Sequence, residues 1–290
     1  MKKTTRRVFL VAGTTAVGGL ALGTGYLASL DTAGLTSTVD ADGTVKLNAW
    51  VHIRPDGKIM LAVPRVEMGQ GVYTALPMLI AEELDLALDD PNLIIDHPTD
   101  LLPAYSNFTV ATFKRPESHS GPMDWTMRKV AALFPYIGTG GSTSVVDAYQ
   151  SLRQAGATAR AMLMQAAARR WQADVEELST ENGYVIHLER KERLEYASLA
   201  AEAAELPAPP DVALKSRDQW QLIGQSIPRI DLVDKSEGAP LFGIDVAQEN
   251  MLYAYLVSAP VLGDTVLSYN ESEVMRAPRV VSIVNLDTAW

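Results

Sequence analysis

Two glycine-rich stretches are the places in this 290-residue sequence where residue types and spacing suit ligand binding. The first is RVEMGQGVYTALPMLIAEELD (65–85), in which Gln70 stands between Gly69 and Gly71 just before an apolar helical pattern. Glycine allows a ligand to come close to the backbone, and a glutamine amide offers both a donor and an acceptor. The pattern predicts contact with a polar ligand, although a simple tight turn would also use two glycines.

The second stretch, GTGGSTS (138–144), leads directly into a long helical pattern. Its candidate binding residues are Gly140, Gly141, Ser142, Thr143 and Ser144. Bare backbone N–H groups, hydroxyl donors and a helix N-terminus together favour an anion. No Gly-Lys-Ser/Thr follows, and Thr143 stands where a dinucleotide fingerprint needs a third small residue. The alternative is a flexible loop whose helix is capped by Ser144 with Asp147.

The overall composition excludes several other chemistries. The net charge of −10 argues against a nucleic-acid partner, because phosphate backbones need a basic face. With no cysteine, this chain can hold no disulfide, thiolate nucleophile or iron–sulfur cluster. The four histidines are too scattered to suggest a metal site made of side chains. Glu82 and Glu83, beside Asp85, are interpreted as a solvated helix face rather than as a catalytic pair.

The first thirty residues have the layout of an export signal. A basic start precedes a moderately apolar stretch and then small residues. Arg6 and Arg7, followed by Phe9 and Leu10, match the twin-arginine pattern, so we expect the twin-arginine translocase as a partner and a periplasmic location. An uncleaved membrane anchor is the alternative. Because this route exports folded proteins, the signal suggests a bulky cofactor loaded in the cytoplasm.

The rest of the chain shows an α+β pattern with two domains. We predict a linker at 31–43, a domain at 44–202 with an insertion at 97–138, a linker at 203–215 and a second domain at 216–290. Alternating apolar residues predict a β-hairpin from 45 to 63 around Pro-Asp-Gly. A helix should start near Thr74, since Pro77 fits only in a first turn.

Further elements are predicted from hydrophobic periodicity and from turn-forming residues. Strands are predicted at 91–96 and in ENGYVIHL (181–188), with a long helix after Ser144 between them. MLYAYLVSAP (251–260) and RVVSIVNLD (279–287) are the clearest strand patterns of the second domain.

Taken together, the two loops and the signal resemble one protein family. The matching stretches are VEMGQGVYTALPMLIAEELD, GGSTSV with LRQAGATARAML, LIGQSIPRIDLVDKSEGAPLFGIDV and MLYAYLVSAP. They resemble the N-terminal part of the molybdopterin-binding large subunits of the xanthine dehydrogenase/aldehyde oxidase family. The most similar branch is that of the isoquinoline 1-oxidoreductase beta subunits.

The resemblance implies a fold and a cofactor. It implies part of a molybdopterin-binding α/β domain, followed by the start of an α/β hammerhead domain at 216–290. The cofactor would be molybdopterin with molybdenum, commonly as its cytosine dinucleotide, with the metal held by the pterin. Gly69, Gln70 and Gly71 would contact the cofactor near the metal, and the 140–144 loop would hold the pterin or its phosphates.

The resemblance also implies a reaction and its partners. The expected reaction is oxidation of an N-heterocycle or an aldehyde with water-derived oxygen. Electrons would pass to a small iron–sulfur subunit or to a cytochrome c. Family members are much longer, and their general-base glutamate lies beyond this chain, so the chain is expected to be a fragment that is inactive alone. The alternatives are an exported scaffold that keeps the fold without cofactor and, less favoured by the loops, a flavin or nicotinamide oxidoreductase.

Overall fold

The computed structural model describes residues 34–98, 102–105, 126, 129–130, 133, 136–209, 212–239, 242–261 and 263–286. The export signal with Arg6 and Arg7, and most of the predicted insertion at 97–138, lie outside the described residues. The chain divides into two compact units, Met1–Gly238 and Ala239–Trp290. Among the described residues, no helix has the length and apolar character needed to cross a bilayer.

The first unit combines helices and sheets, which confirms the predicted α+β class. Its strands are β1 (Thr38–Val39), β2 (Val45–Lys46), β3 (Val51–Ile53), β4 (Ile59–Ala62), β5 (Leu93–Asp96), β6 (Leu178–Glu181), β7 (Tyr184–His187) and β8 (Arg193–Glu195). Its helices are α1 (Val72–Leu84), α2 (Ser144–Trp171), α3 (Tyr196–Ala204) and α4 (Leu232–Glu237).

The first sheet has the order β1-β2-β3-β4-β5, and β1 lies within the segment 31–43 that the sequence suggests is a linker. The predicted hairpin partners β3 and β4 do pair antiparallel around the Pro-Asp-Gly turn. The first arm of the hairpin predicted from 45 to 63 is not one continuous strand, because β2 and β3 pair antiparallel with each other. Asn48 causes the turn: its side-chain oxygen accepts the N–H groups of Trp50 and Val51, both at 2.9 Å.

Helix α1 connects two parallel neighbours of the sheet, β4 and β5, as a crossover helix does. It starts at Val72 rather than near Thr74, so Pro77 lies in the second turn and not the first. The earlier start follows from Gly71, whose φ of 89° ends the preceding loop in the left-handed region. The strand predicted at 91–96 is confirmed as β5.

The long helix α2 packs against α1 and forms the centre of the core. Gly156 allows this close packing, because a Cβ added there would lie only 2.5 Å from the carbonyl oxygen of Ile80. Apolar side chains of α2 that are fully or almost fully buried include Leu152, Met162 and Leu163, and burying each contributes about 1.5–3 kcal/mol. Both glycine-rich stretches therefore lead into helices that pack together in one core.

The described part of the second unit contains one α-helix of four residues, α5 (Glu271–Val274), and a short 3-10 helix at Gly243–Asp245. The predicted strand at 251–260 is not observed: within the described part of this unit its residues form no strand, and Tyr255 is 92% exposed. The same holds for 279–286. An alternating segment becomes a strand only when a neighbour supplies hydrogen bonds, and no described neighbour does so here. The hammerhead domain stays a prediction.

Candidate functional site

The first glycine loop, residues 66–71, needs its glycines for backbone conformation. Gly69 and Gly71 have φ values of 103° and 89°, where other residues are strained. A Cβ added at either position would meet no atom of the described residues within 4 Å. The glycines are thus not packed against the protein, and their open face leaves room for a flat group to approach the backbone.

Gln70 is exposed at the tip of this loop, but its amide is already used by the loop itself. The side-chain nitrogen donates to the carbonyl of Val66 at 2.7 Å, and the side-chain oxygen accepts the N–H of Met68 at 2.5 Å. One N–H and one lone pair of the amide remain for a ligand. Contact between Gln70 and a cofactor stays a prediction.

Glu67 organises the first loop and was missed in the sequence. Its carboxylate accepts the backbone N–H groups of Gly69 at 2.7 Å, of Gly71 at 3.1 Å and of Tyr73 at 3.1 Å. These donors include the N-terminus of α1, so the protein's own carboxylate fills the position that an anion would take there. An acidic residue two positions before Gly-Gln-Gly was the available signal.

The charge of Glu67 is stabilised in the folded protein. Burial alone would raise the pKa of its carboxyl. The N–H donors of Gly71, Tyr73 and Gly69, together with the Lys235 ammonium, outweigh burial and hold the pKa below its ordinary value. The carboxylate is therefore a permanent negative charge under the loop at neutral pH.

The second loop, residues 138–143, presents open backbone in front of α2. Gly141 and Ser142 have φ values of 61° and 56°, and a Cβ added at Gly140 would meet no atom within 4 Å. Thr143 precedes the helix and donates its hydroxyl to the carbonyl of Gly140 at 3.0 Å. Gly140, Gly141 and Ser142 are exposed.

The cap predicted for α2 is wrong. Ser144 is the first helical residue, not the cap, and the residue in the cap position, Thr143, makes no side-chain capping bond. Asp147 is committed elsewhere, because its carboxylate binds Arg65 at 2.6 Å. The first N–H groups of α2 thus keep the anion-attracting character that Glu67 has cancelled at α1.

A buried ion pair and a hydrogen bond from a backbone N–H to a side-chain hydroxyl join the two loops. The N–H of Val66 donates to the hydroxyl of Thr139 at 2.8 Å, linking the start of one loop to the other. Arg65 and Asp147, whose side chains are 3% and 5% exposed, connect the same two segments. Burial lowers the pKa of Arg65, while Asp147 opposes that change. Loops separated by some seventy residues are therefore held side by side.

Residues 212–238 (the strap) contact both ends of α1 and correct the interpretation of Glu82 and Glu83. These carboxylates are 1% and 0% exposed, so they do not form a solvated face. Glu82 accepts the N–H groups of residues 221–223 at 2.7–3.0 Å. Glu83 binds Arg153 at 2.5 Å and the N–H of Lys215 at 3.0 Å. Both acids hold structure together and take no part in the candidate site.

No cluster of three or more potential metal-binding side chains occurs among the described residues. Two of the histidines, His52 and His187, are buried, but they lie on different strands, His52 on β3 and His187 on β7. His97 follows β5, and its Nδ1 lies 3.0 Å from the carbonyl of Val63. The chemistry that the described site offers is hydrogen bonding and open backbone, which suits an organic cofactor that brings its own metal ligands.

Comparisons with known proteins agree with that chemistry. Residues 12–114, which include the first loop, match the family model of the molybdopterin cofactor-binding domain. The chain is 30% identical over 315 residues to the isoquinoline 1-oxidoreductase beta subunit of Brevundimonas diminuta, covering 97% of this chain and 37% of that protein. It is 26% identical over 260 residues to a nicotinate dehydrogenase subunit of Pseudomonas putida, covering 87% of this chain and 19% of that protein.

Among solved structures, quinoline 2-oxidoreductase from Pseudomonas putida 86 aligns with 56% of this chain and 17% of its own, at 19% identity and a TM-score of 0.34. The chain spans little more than a third of the length of its isoquinoline relative. The family model and the two sequence relatives confirm the resemblance seen in the sequence. The chain is thus related to the molybdopterin-binding large subunits of the xanthine dehydrogenase/aldehyde oxidase family.

Proposed function

We propose that this chain is the cofactor-holding part of a molybdopterin-dependent oxidoreductase that oxidises N-heterocycles or aldehydes. The observation that carries the proposal is the joining of the two glycine loops through Val66–Thr139 and Arg65–Asp147. Both loops present glycines whose side-chain positions are open among the described residues, so each loop offers bare backbone to a flat ligand. The relatives named for isoquinoline and nicotinate support N-heterocycles as substrates. A membrane-bound aldehyde dehydrogenase of Gluconacetobacter polyoxogenes, 25% identical over 269 residues that cover 87% of this chain and 29% of that protein, supports aldehydes.

We expect the two loops to bind different parts of the cofactor. The first N–H groups of α2 and the hydroxyl of the exposed Ser142 suit a phosphate, because none of the described side chains caps that helix. At the first loop Glu67 already takes the N–H groups, so Gly69, Gly71 and the remaining amide valences of Gln70 suit the uncharged edge of the pterin. We propose the cytosine dinucleotide form, whose phosphates would lie at α2.

When bound, the cofactor would supply the redox chemistry, with oxygen taken from water; any iron–sulfur cluster would belong to another subunit, because this chain has no cysteine. The chain's residues bind and orient the cofactor. We propose a small iron–sulfur subunit or a cytochrome c as electron acceptor and export by the twin-arginine translocase to the periplasm, the N-terminus being cleaved or kept as an anchor.

A second candidate is an exported scaffold that keeps the fold without cofactor. One observation favours it: part of the Gln70 amide and the N–H groups of Gly69 and Gly71 are already bonded within the protein. A scaffold would need no open glycine face, whereas an enzyme subunit does.

Replacing Gln70 tests the proposal. In the full-length protein, Gln70→Ala should lower molybdenum content and turnover while the folded state persists, because an amide at the cofactor is lost. Gln248→Ala, which removes an exposed amide in the second unit, is the matched control. Wild-type metal content and turnover in Gln70→Ala would contradict the assignment of this loop.

A further inference from the structure

One arginine on the strap contacts the first glycine loop. Arg229 donates from Nη1 to the carbonyl of Gly69 at 2.9 Å and from Nη2 to Glu67 Oε1 at 2.9 Å. One planar guanidinium therefore binds both the backbone of the loop and the carboxylate beneath it. Arg229 lies 160 positions after Gly69 in the sequence, so only the fold brings them together.

The strap is hydrogen-bonded to α1 near both ends of the helix, and these contacts fix the position of Arg229. Near the start of α1, the N–H of Ile230 donates to the hydroxyl of Thr74 at 3.1 Å. Near the end of α1, Glu82 accepts the three N–H groups of residues 221–223. Arg229 is therefore presented to the loop by a segment that is anchored before and beside it.

The loop depends on these contacts for its order. Gly69 and Gly71 have the backbone freedom of glycine, and within the described part of the chain no residue packs over their open faces. The loop is held from beneath by Glu67, whose three accepted N–H bonds fix Gly69, Gly71 and Tyr73. Arg229 in turn holds Glu67, with the Lys235 ammonium 3.8 Å from the same carboxylate oxygen.

We propose that Arg229 is a positioning residue of the cofactor site, which fixes the Gly69–Gly71 loop through Glu67 and the Gly69 carbonyl. The inference rests on the proposed function for its meaning, since the loop is useful only if a cofactor lies against it. It predicts that a residue outside both glycine loops controls the geometry that Gln70 presents.

Hydrogen exchange of the full-length protein, followed in peptides covering 66–74, tests this inference. Arg229→Ala should speed exchange of the Gly69, Gly71 and Tyr73 amides at least about 10-fold, an opening-equilibrium change typical of losing a charged contact. Arg229→Lys should restore part of the protection, because an ammonium is a single point charge and cannot bind both acceptors as a fork. Arg217→Ala is the matched control, since Arg217 is an exposed arginine on the same strap.

Pterin content measured on the same samples separates the two claims. Arg229→Ala should lose pterin, and Arg217→Ala should keep it. If the amides exchanged equally fast in Arg229→Ala and Arg217→Ala, Arg229 would not fix the loop. If they exchanged faster in Arg229→Ala but the pterin content stayed unchanged, Arg229 would fix the loop without a role in holding the cofactor, and the proposal would be refuted. A wild-type protein without pterin would refute the proposed function. The exchange comparison would then still show whether Arg229 fixes the Gly69–Gly71 loop. If Arg229→Ala does not fold, Glu67→Gln, which keeps the shape and removes the charge, should show the same local loss of protection.

Discussion

The close packing of α1 on α2 positions both loops, and Gly156→Ala tests it. An added Cβ would lie 2.5 Å from the backbone oxygen of Ile80 and 3.0 Å from the Cβ of Glu83, whereas ordinary contacts begin at 3.4 Å. The helices would have to separate by most of an ångström, because a backbone carbonyl inside a helix cannot turn away. Overpacking of this kind costs about 1–3 kcal/mol, and the backbone contact places it near the upper end.

The sign of the effect makes this substitution informative. Alanine is favoured over glycine in a helix interior by about 1 kcal/mol, so without a clash Gly156→Ala would stabilise the protein. With the clash we expect a net loss of about 2 kcal/mol in the free energy of unfolding. Urea unfolding followed by circular dichroism measures the difference. Gly243→Ala is the control, because a Cβ there meets nothing within 4 Å and its φ is not positive.

An unchanged or increased stability of Gly156→Ala would refute the reasoning. The two helices would then not approach as closely as described, and the placement of the loops at their N-terminal sides would lose its support. A loss of stability in Gly243→Ala as large as in Gly156→Ala would also remove the steric explanation.

Three further predictions concern the carboxylates and the signal. Glu82→Gln should cost about 1.5–3 kcal/mol, the range for hydrogen bonds to a charged group, and should speed amide exchange at 221–223; unchanged exchange would contradict the strap contact. Glu67 has a folded-state pKa below its ordinary value of 4.5, so its stabilisation is complete above that value and is lost as pH falls through the folded-state pKa. The difference in unfolding free energy between wild type and Glu67→Gln should be constant above about pH 6 and shrink below about pH 4, and a pH-independent difference would contradict it. Replacing Arg6 and Arg7 by Lys should leave a folded precursor in the cytoplasm, measured by cell fractionation, and unchanged export would point to the general secretory route.

Elements with a clear period were predictable from the sequence, because local residues determine them. Strand β5 and the long helix α2 follow directly from apolar spacing, and the turn at Asn182-Gly183 separates β6 from β7 with positive φ values at both residues. Asn48 shows the limit. Its side chain turns the chain by bonding Trp50 and Val51 and also reaches the carbonyl of Ala155, a partner that the local pattern does not contain.

The candidate site was predictable in its loops but not in what holds them. Glycines at Gly69, Gly71 and Gly140 stand out by type, whereas Glu67 and Arg229 are ordinary charged residues until the fold brings them together. Glu82 was misinterpreted for the same reason, since a charged helix face is normally solvated unless another segment covers it. The mostly exposed segment 251–259 was predicted as a strand from its alternating pattern. A strand also needs a hydrogen-bonding neighbour, and the described residues provide none there.

Molybdenum and pterin analysis of the full-length protein, purified with its neighbouring subunit, tests the central claim most directly. The wild type should contain both in stoichiometric amount. Gly140→Val, whose side chain would enter open space in front of the second loop, and Gln70→Ala in the first loop should each lose pterin while staying folded. Wild-type protein without pterin, or full pterin content in both variants, would show that the two loops do not share one cofactor.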